Sequence, residues 1–243
     1  MLQNNKVRIQ KMLADCGIAS RRKAEVLVQE KCVTINGQVA NIGDKVDPKK
    51  DDVRVKGKKI LKNEENHYIM LHKPRGFVST VSDEKGRKCV ADLVKDIPGR
   101  LYPIGRLDKD SEGLLLMTND GEFANEIMHP SRHIPKKYRV TIKPKITEEQ
   151  ITALCVGMEI DGKQTLPAQV RVLSQETGRV VLEITLHEGR NRQIRKMCEK
   201  LGLEVARLKR IAIGQVKLGM LQQGKWRNLT QDELKLLFKN EVN

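Results

Sequence analysis

The sequence contains few aromatic residues, few cysteines and no long apolar segment. Aromatic residues make up 3% of the 243 residues, which argues against a protein that binds single strands by stacking successive bases on rings. No apolar run approaches the length of a membrane span, and the start MLQNNKVRIQ lacks the basic-then-apolar order of a signal peptide. We therefore expect a soluble, cytoplasmic protein that does not associate with membranes.

The cysteines exclude two further classes of protein. They are widely spaced and never form a C-x-x-C pair, which argues against a disulfide framework and against a zinc site. Free cysteine usually behaves as a small core residue, so we expect buried, reduced thiols. The five positions are Cys16, Cys32, Cys89, Cys155 and Cys198.

Positive charge, by contrast, is abundant. The formal net charge is +15, from 46 Lys and Arg against 31 Asp and Glu. Residues 1–62 hold 15 of these cations and 7 of the acids, a net +8, so a quarter of the chain carries about half of the excess. A polyanion is the natural partner of such a surface, with an affinity that falls as salt rises; the alternative is a solvated basic surface without a partner.

The first sixty residues form a distinct pattern. Apolar residues at helical spacing end at Gly17, and Ser20 is a suitable N-cap for a second helix. That helix would begin with Arg21, Arg22 and Lys23, although the helix dipole disfavours cations there. A bound phosphate would offset this cost. Asn36-Gly37 predicts a hairpin turn, and VRVKGKKI, residues 53–60, predicts one further strand.

This pattern, RIQKMLADCGIASRRKAEVLVQEKCVTINGQVA, resembles the small RNA-binding domain of the S-four type, which is shared by a small-subunit ribosomal protein, bacterial tyrosyl-tRNA synthetases and several RNA-modifying enzymes. The resemblance implies binding to structured RNA. We place this domain at residues 1–62, a polar linker at residues 63–67 and a larger domain at residues 68–243.

The larger domain alternates strands and helices irregularly. YIMLHK, LLLMT, KKYRVTIKP and RVVLEITLHEG predict strands. Helices are predicted from Thr147, a suitable N-cap, and over RNRQIRKMCEKLG, where an apolar stripe ends at Gly202. Most connections are too short for repeated parallel crossovers. We therefore predict an α+β fold, with a mixed, mainly antiparallel sheet flanked by helices.

The segment GRLDKDSEGLLLMTNDG, residues 105–121, gathers Asp108, Asp110 and Glu112 within five positions. Alternating oxygens before Gly113 are typical of a calcium loop, but position 12 of such a loop is here Asn119 instead of glutamate. Paired carboxylates are also found in glycosidases, whose clefts are rich in aromatic residues. A third alternative is an ordinary turn in which Asp108 pairs with Arg106.

Further blocks extend the comparison. GRLD and SEGLLLMTNDG, then KKY, EGRNRQIRKM and RLKRIAIG resemble, in order and spacing, the conserved blocks of pseudouridine synthases. The match is to the branch that modifies ribosomal RNA and carries the small RNA-binding domain in front, the RsuA/RluB/RluE/RluF group. The resemblance implies the pseudouridine synthase fold, and a reaction that breaks the N1–C1′ bond of a uridine, turns the base and rejoins it through C5, without cofactor or metal.

The resemblance also assigns the reacting groups. It implies that Asp108 is the catalytic residue, either adding to the sugar or removing a proton from it, and general chemistry leaves both routes open. Arg195 is by resemblance the partner that pairs with this carboxylate and favours its charged form. Tyr138 matches the tyrosine that packs on the target base. The alternative for Tyr138 is an ordinary aromatic ring of the core, buried on its strand.

The remaining site residues follow from the same blocks. A flipped nucleotide leaves a gap in the stack, and Arg106 resembles the arginine that helps to fill it. The substrate-binding candidates are Arg106, Leu107, Asn191, Gln193, Ile194 and Leu208. The candidates for contacting the RNA backbone are Arg21, Arg22, Lys23, Lys73, Arg75, Arg190, Arg192, Lys209 and Arg210. Asp110 and Glu112 would orient the loop, and Gly113 would permit a tight bend.

We expect a monomer whose partner is a structured stem-loop of ribosomal RNA. GRLDKDSEG and NRQIRKMCE resemble the RluF-like branch and HPSRHIPKKY the RluB-like branch, which favours large-subunit (23S) over small-subunit (16S) ribosomal RNA. Two alternatives stay open: a small-subunit pseudouridine synthase, and a non-catalytic RNA-binding or ribosome-assembly protein of the same fold.

Overall fold

The computed structural model describes residues 6–61 and 65–239. These residues form two compact units. The smaller unit comprises the residues up to His67 with Ile97–Arg100 and Asn119–Gly121, and the larger unit comprises Tyr68–Asp96, Leu101–Thr118 and the chain from Glu122 onward. The linker expected at residues 63–67 lies partly outside the described residues.

The smaller unit combines two helices with short strands. Its elements are β1 (Val7–Arg8), α1 (Ile9–Asp15), α2 (Arg21–Gln29), β2 (Val33–Ile35), β3 (Gln38–Val39), β4 (Lys45–Val46), β5 (Val53–Val55) and β6 (Lys58–Lys59). The strands β3, β2, β5 and β6 form an antiparallel sheet in that order, and β1 pairs with β4. Both predicted helices are confirmed.

Local signals at the helix ends explain these helices. Gly17 follows α1 with a φ of +75°, and the Ser20 hydroxyl accepts a hydrogen bond from the backbone N–H of Lys23 at the start of α2. The apolar faces of both helices join one core with residues of the strands. This core satisfies the amphipathic pattern read from the sequence.

Two hairpins complete the smaller unit. Asn36 and Gly37 both have positive φ, at +50° and +86°, as a two-residue hairpin turn requires. Lys56 and Gly57 repeat this geometry at +49° and +77°. The prediction of a single strand over residues 53–60 is therefore wrong, because Lys-Gly folds the segment back on itself as β5 and β6.

The larger unit contains eleven strands and four α-helices among the residues described. They are β7 (Tyr68–Lys73), β8 (Tyr102–Ile104), β9 (Glu112–Thr118), α3 (Gly121–Met128), β10 (Lys136–Lys143), α4 (Glu148–Val156), β11 (Glu159–Ile160), β12 (Lys163–Gln164), β13 (Gln169–Glu176), β14 (Arg179–Leu186), α5 (Gln193–Lys200), β15 (Glu204–Ile213), β16 (Val216–Lys217), β17 (Trp226–Asn228) and α6 (Gln231–Leu236). Short 3-10 helices cover Val90–Leu93 and Pro130–Arg132.

Nine of these strands form one sheet. Seven follow the order β13-β14-β10-β15-β9-β7-β17, with β8 paired to β9 and β16 paired to β15. Only the pairing of β15 with β9 is parallel among the pairs described. The sheet is thus mixed and mainly antiparallel, as predicted, and Tyr138, Val140 and Ile142 alternate along β10 as buried residues.

The contact between β9 and β15 depends on a glycine. Gly113 lies within β9 with a φ of +111°, and a Cβ atom there would be 2.2 Å from the carbonyl oxygen of Arg210. No L side chain fits such an approach. The prediction that Gly113 serves a bend in the acidic loop is therefore wrong, because it permits two strands to pair closely.

Two expectations from composition can also be compared with the structure. Within the described ranges, no helix is both long and apolar enough to cross a membrane. All five cysteines are free, but only Cys89 and Cys198 are buried and the other three are half-buried. Burial raises the pKa of the Cys198 thiol to about 12, so this thiol stays protonated and unreactive at neutral pH.

Candidate active site

A cleft of about 1190 Å³ opens on the larger unit. Its lining comes from one face of the sheet, from the end of α3 and the segment that follows it, from Leu166, and from three further loops. The loops are those that follow β7, join β8 to β9 and precede α5. Because the cleft is the place where these loops meet, residues far apart in sequence face one space, and Asp108 is among them.

Hydrogen bonds to its backbone hold the loop that carries Asp108 in place. The buried ammonium group of Lys73 donates hydrogen bonds to the carbonyl oxygens of Asp108 (3.0 Å), Ser111 (2.7 Å) and Pro74 (3.0 Å). The hydroxyl of Ser79 accepts from the N–H of Leu107 (3.0 Å) and donates to its carbonyl oxygen (2.7 Å). These bonds fix the backbone on both sides of the Asp108 side chain.

Two arginines face the Asp108 carboxylate. Its Oδ2 atom lies 3.8 Å from Nη1 of Arg192 and 4.0 Å from Nε of Arg195. Arg195 also donates to the carbonyl oxygens of Val205 (3.1 Å) and Asp110 (3.3 Å). Burial and the neighbouring Arg192 lower the pKa of Arg195, and Asp108 opposes this shift. The two arginines orient the Asp108 carboxylate, which remains partly open to solvent.

The structure therefore brings together the aspartate and the arginine that the sequence singled out. The alternative, an ordinary turn in which Asp108 pairs with Arg106, is wrong, since no ion pair joins these two residues in the described part of the chain. Arg192, which the sequence suggested only as a backbone contact, is the additional partner. Its left-handed backbone, with a φ of +53°, begins α5 and turns the side chain back toward the acidic loop.

Tyr138 lies on the floor of the same cleft. It is 9% exposed and stands opposite Arg210 on the neighbouring strand. Lys136, two residues before it on β10, also lines the cleft, and burial together with Arg210 lowers the pKa of Lys136. An aromatic ring beside two cations provides a surface for a planar base that carries partial negative charge.

The substrate-binding candidates divide into two groups. Arg106, Leu107 and Asn191 line the cleft, with Arg106 and Asn191 exposed. Ile194 and Leu208 are buried side chains outside this lining.

Gln193 requires a correction. It is 3% exposed, and its side-chain amide donates to Glu188 (2.7 Å) and accepts from the N–H of Arg190 (3.1 Å). The expectation that Gln193 contacts a nucleotide is wrong, because its amide is used to hold the loop before α5.

The backbone-contact candidates also divide. Arg21, Arg22 and Lys23 in α2 and Arg75 in the larger unit are exposed. Lys73 and Arg210 are wrong predictions, because both are buried and donate to backbone carbonyl oxygens.

The Arg190 side chain is also used in hydrogen bonds within the protein. It donates to the Glu188 carboxylate (2.9 Å) and to the carbonyl oxygens of Lys163 and Gln164, so it is a wrong prediction as a free phosphate contact. Lys209 stands opposite Arg139 on β10. Arg139 directly follows Tyr138, so the two side chains point to opposite faces of the sheet. Lys209 therefore lies on the face of the sheet away from the cleft.

Asp108, Asp110 and Glu112 lie in separate environments, which argues against the calcium loop considered from the sequence. Glu112 belongs to β9, where its carboxylate accepts hydrogen bonds from Arg207 (2.7 Å) and Gln223 (3.2 Å). Asp108 pairs with its own arginines, and Asp110 is exposed. The expectation that Glu112 orients the loop is wrong, because this residue pairs inside the sheet.

Sequence reasoning missed Ser79 and Lys136. Ser79 lies in a loop without a recognisable motif, and its role depends on a contact with Leu107 across 28 positions. Lys136 had a signal, since it stands beside Tyr138 in the KKY block. Side chains two positions apart on a strand point to the same face, so Lys136 could have been predicted to share the cleft with Tyr138.

Comparisons with known proteins agree with this geometry. Residues 67–200 match the model of the family described as RNA pseudouridylate synthase, and residues 7–53 match the S4 domain.

Similar proteins are known from several bacteria. Ribosomal large subunit pseudouridine synthase B of Bacillus subtilis is 46% identical over 233 residues, which cover 95% of each chain. Dual-specificity RNA pseudouridine synthase RluF of Escherichia coli K12 is 42% identical over 241 residues, covering 98% of this chain and 81% of RluF.

A solved structure is similar as well. A crystal structure of a pseudouridylate synthase, 31% identical, superposes with a TM-score of 0.70 and covers 95% of this chain and 99% of its own. Sequence and fold agree over nearly the whole length, and this chain is therefore a member of the RNA pseudouridylate synthase family that carries an S4 domain at its N-terminal end.

Proposed function

We propose that this protein isomerises uridine to pseudouridine in ribosomal RNA, that its target lies in the large-subunit RNA, and that Asp108 is the catalytic residue. The observation that carries the proposal is the Asp108 carboxylate, held between Arg192 and Arg195 on a fastened loop beside an open cleft. The large-subunit target is supported by the Bacillus subtilis relative, which is named a ribosomal large subunit pseudouridine synthase.

The reaction rearranges one nucleotide without oxidation or reduction. The N1–C1′ bond breaks, the base turns, C5 bonds to C1′, the hydrogen on C5 is released as a proton, and N1 takes up a proton. An ionised carboxylate can serve this sequence by adding to the sugar or by removing a proton from it. In either route the two arginines orient the Asp108 carboxylate, and Tyr138 supports the base.

The target base must first leave its stack, which costs a few kcal/mol. Arg106, exposed at the cleft beside Asp108, is suited to fill the vacated place. The exposed cations at the start of α2 would hold phosphates, because the free N–H groups and the dipole of a helix start attract anions. We assign RNA binding to residues 1–62, a linker to residues 63–67 and catalysis to residues 68–243, in a monomer that works in the cytoplasm.

The test is the release of tritium from ribosomal RNA labelled at C5 of uridine, since the proposed rearrangement frees that hydrogen and the reaction contains no methyl donor that could replace it. Asp108→Asn keeps the shape of the side chain and removes its charge. We expect release to fall to the background of the protein-free reaction, while RNA binding stays within about twofold of the unsubstituted protein. The matched control is Asp110→Asn, an exposed acid two residues away, which should retain nearly full activity.

Two outcomes would contradict the proposal. If Asp108→Asn releases tritium at the rate of the unsubstituted protein, the carboxylate is not catalytic. If the unsubstituted protein binds RNA but releases no tritium from any ribosomal RNA, the non-catalytic ribosome-assembly alternative is correct.

A further inference from the structure

We propose that the larger unit binds RNA at a second surface, on the face of the sheet opposite the Asp108 cleft. This surface, which we call the basic groove, has a volume of about 700 Å³. Its cations are Lys137, Arg139, Lys209 and Lys217. The inference rests on the proposed function, because it assigns a second contact for the same RNA substrate.

The strand register explains why these cations share one face. Lys137 and Arg139 flank Tyr138 on β10, so their side chains leave the opposite side of the sheet from the ring in the cleft. Arg139 stands opposite Lys209 on β15. Lys137 stands opposite Ala212, which in turn pairs with Lys217 on β16. The four cations therefore form two rows across the strands.

The charges in the groove are poorly balanced. Glu183 is the single carboxylate in the lining of the groove, and it lies 3.7 Å from Lys137. Within the described residues no carboxylate comes within 4.0 Å of a nitrogen of Arg139, Lys209 or Lys217. Burial lowers the pKa of Lys209, Glu112 opposes this shift, and the nearby Arg207 and Arg139 add to it. Glu183 stands opposite Arg139 on β14 and Glu112 stands opposite Lys209 on β9, but neither carboxylate forms an ion pair with that cation, and the lining of the groove keeps four cations against one carboxylate.

The arrangement has a cost that an anion would offset. Like charges directly opposite each other on neighbouring strands destabilise a sheet by a few tenths of a kcal/mol or more, and Arg139 and Lys209 are such a pair. A single small anion would relieve one row. The two rows lie about 7 Å apart along the strand, two residues at about 3.3 Å each, so a chain of regularly spaced charges can contact both.

RNA meets this requirement, and it is the polyanion on which this family acts. The cleft and the groove open on opposite faces of one sheet, so a stem-loop held in the cleft cannot fill both. We infer that the groove contacts a segment of ribosomal RNA away from the target uridine. The groove should therefore matter for long RNA and not for a short stem-loop.

The experiment compares two triple variants that remove the same charge. The groove variant is Arg139→Gln, Lys209→Gln, Lys217→Gln. The control variant is Lys95→Gln, Lys145→Gln, Lys225→Gln, at exposed cations that line neither cavity. Binding to a full-length 23S ribosomal RNA transcript is measured over a range of salt concentrations. Tritium release is measured on that transcript and on a short stem-loop that contains the uridine found to be modified in it.

We expect the groove variant to bind the long transcript about 10-fold to 100-fold more weakly at 0.1 M salt. The slope of log affinity against log salt should become less steep by about two to three, since each of the three lost phosphate contacts removes about 0.7 to 0.9 from its magnitude. The rate on the short stem-loop should equal that of the control variant. Thermal unfolding of both variants checks that the sheet is intact.

Three results would overturn the inference. The first is that the groove variant and the control variant bind the long transcript equally well. The second is that the rate of tritium release falls by the same factor on the short stem-loop as on the long transcript, and the third is that the groove binds an acidic protein while the affinity for RNA is unchanged. Failure of the proposed function looks different, because the unsubstituted protein would then release no tritium from either RNA, whatever the binding data show.

Discussion

Lys73 offers a sharp test of how the catalytic loop is held. Its ammonium group is fully buried and donates to the carbonyl oxygens of Pro74, Asp108 and Ser111. Lys73→Met keeps an unbranched side chain, one atom shorter than lysine, and removes the donors. Leaving three carbonyl groups without a donor costs about 1 to 3 kcal/mol each, and removing a buried charge returns about 3 kcal/mol. We expect a net loss of about 3 kcal/mol at pH 7.

The pH dependence of this loss follows from the pKa of Lys73. Burial lowers that pKa from 10.5 to about 8, against the attraction of Asp108, Asp110 and Glu112. Between pH 8 and 10.5 the folded protein has released this proton while the unfolded chain still binds it, so the free energy of unfolding rises with pH. The gain is about 3 kcal/mol, and Lys73→Met lacks it.

The assay is urea unfolding of both proteins at several values between pH 7 and 10.5. Lysines common to both proteins cancel in the comparison, and Lys95→Met, at an exposed site, is the control. The stability difference between wild type and Lys73→Met should widen by about 3 kcal/mol across this range. A difference that stays constant with pH would refute the reasoning. The variant should also lose about 10-fold to 100-fold in kcat, because the loop that carries Asp108 loses an anchor.

Other substitutions test separate parts of the structure. In tritium-release kinetics, Arg195→Gln should lower kcat about 100-fold and Arg192→Gln about 10-fold, because Arg195 is the more buried partner of the catalytic carboxylate; equal losses would contradict this ranking. In urea unfolding, Arg207→Gln should cost about 1 to 3 kcal/mol, since it leaves the buried Glu112 carboxylate with its hydrogen bond from Gln223 and without its ion pair, and Glu112→Gln should cost less. Gly113→Ala should destabilise by at least about 3 kcal/mol through clash and strain; a stable variant would contradict the close strand contact.

Local features were predicted well from the sequence because their causes are local. Ser20 and Thr147 cap helices through bonds to residues three positions away, and Asn36-Gly37 turns a hairpin within its own dipeptide. Asp108 and Arg195 were identified through resemblance, and the structure places them together. The caps and the hairpin turn can each be recognised from a short stretch of sequence, whereas Asp108 and Arg195 were recognised from several separated blocks in their order and spacing.

Features that depend on tertiary contacts were missed. Lys73 stands in a Lys-Pro-Arg-Gly segment that appears basic and exposed, and only the position of the acidic loop shows why it is buried. Gly113 followed three acids and suggested a bend, whereas its role depends on the backbone of Arg210, 97 positions away. Hydrophobic patterning contains no information about such pairs, since it describes faces of elements and not which elements meet.

The central claim is that this protein forms pseudouridine in ribosomal RNA through Asp108. The most direct measurement is a map of pseudouridines in the ribosomal RNA of cells that lack the protein, with the unsubstituted gene or Asp108→Asn returned on a plasmid. We predict that one or more large-subunit sites disappear on deletion, return with the unsubstituted gene and stay absent with Asp108→Asn. Full modification of all ribosomal RNA sites in cells that rely on Asp108→Asn would contradict the claim.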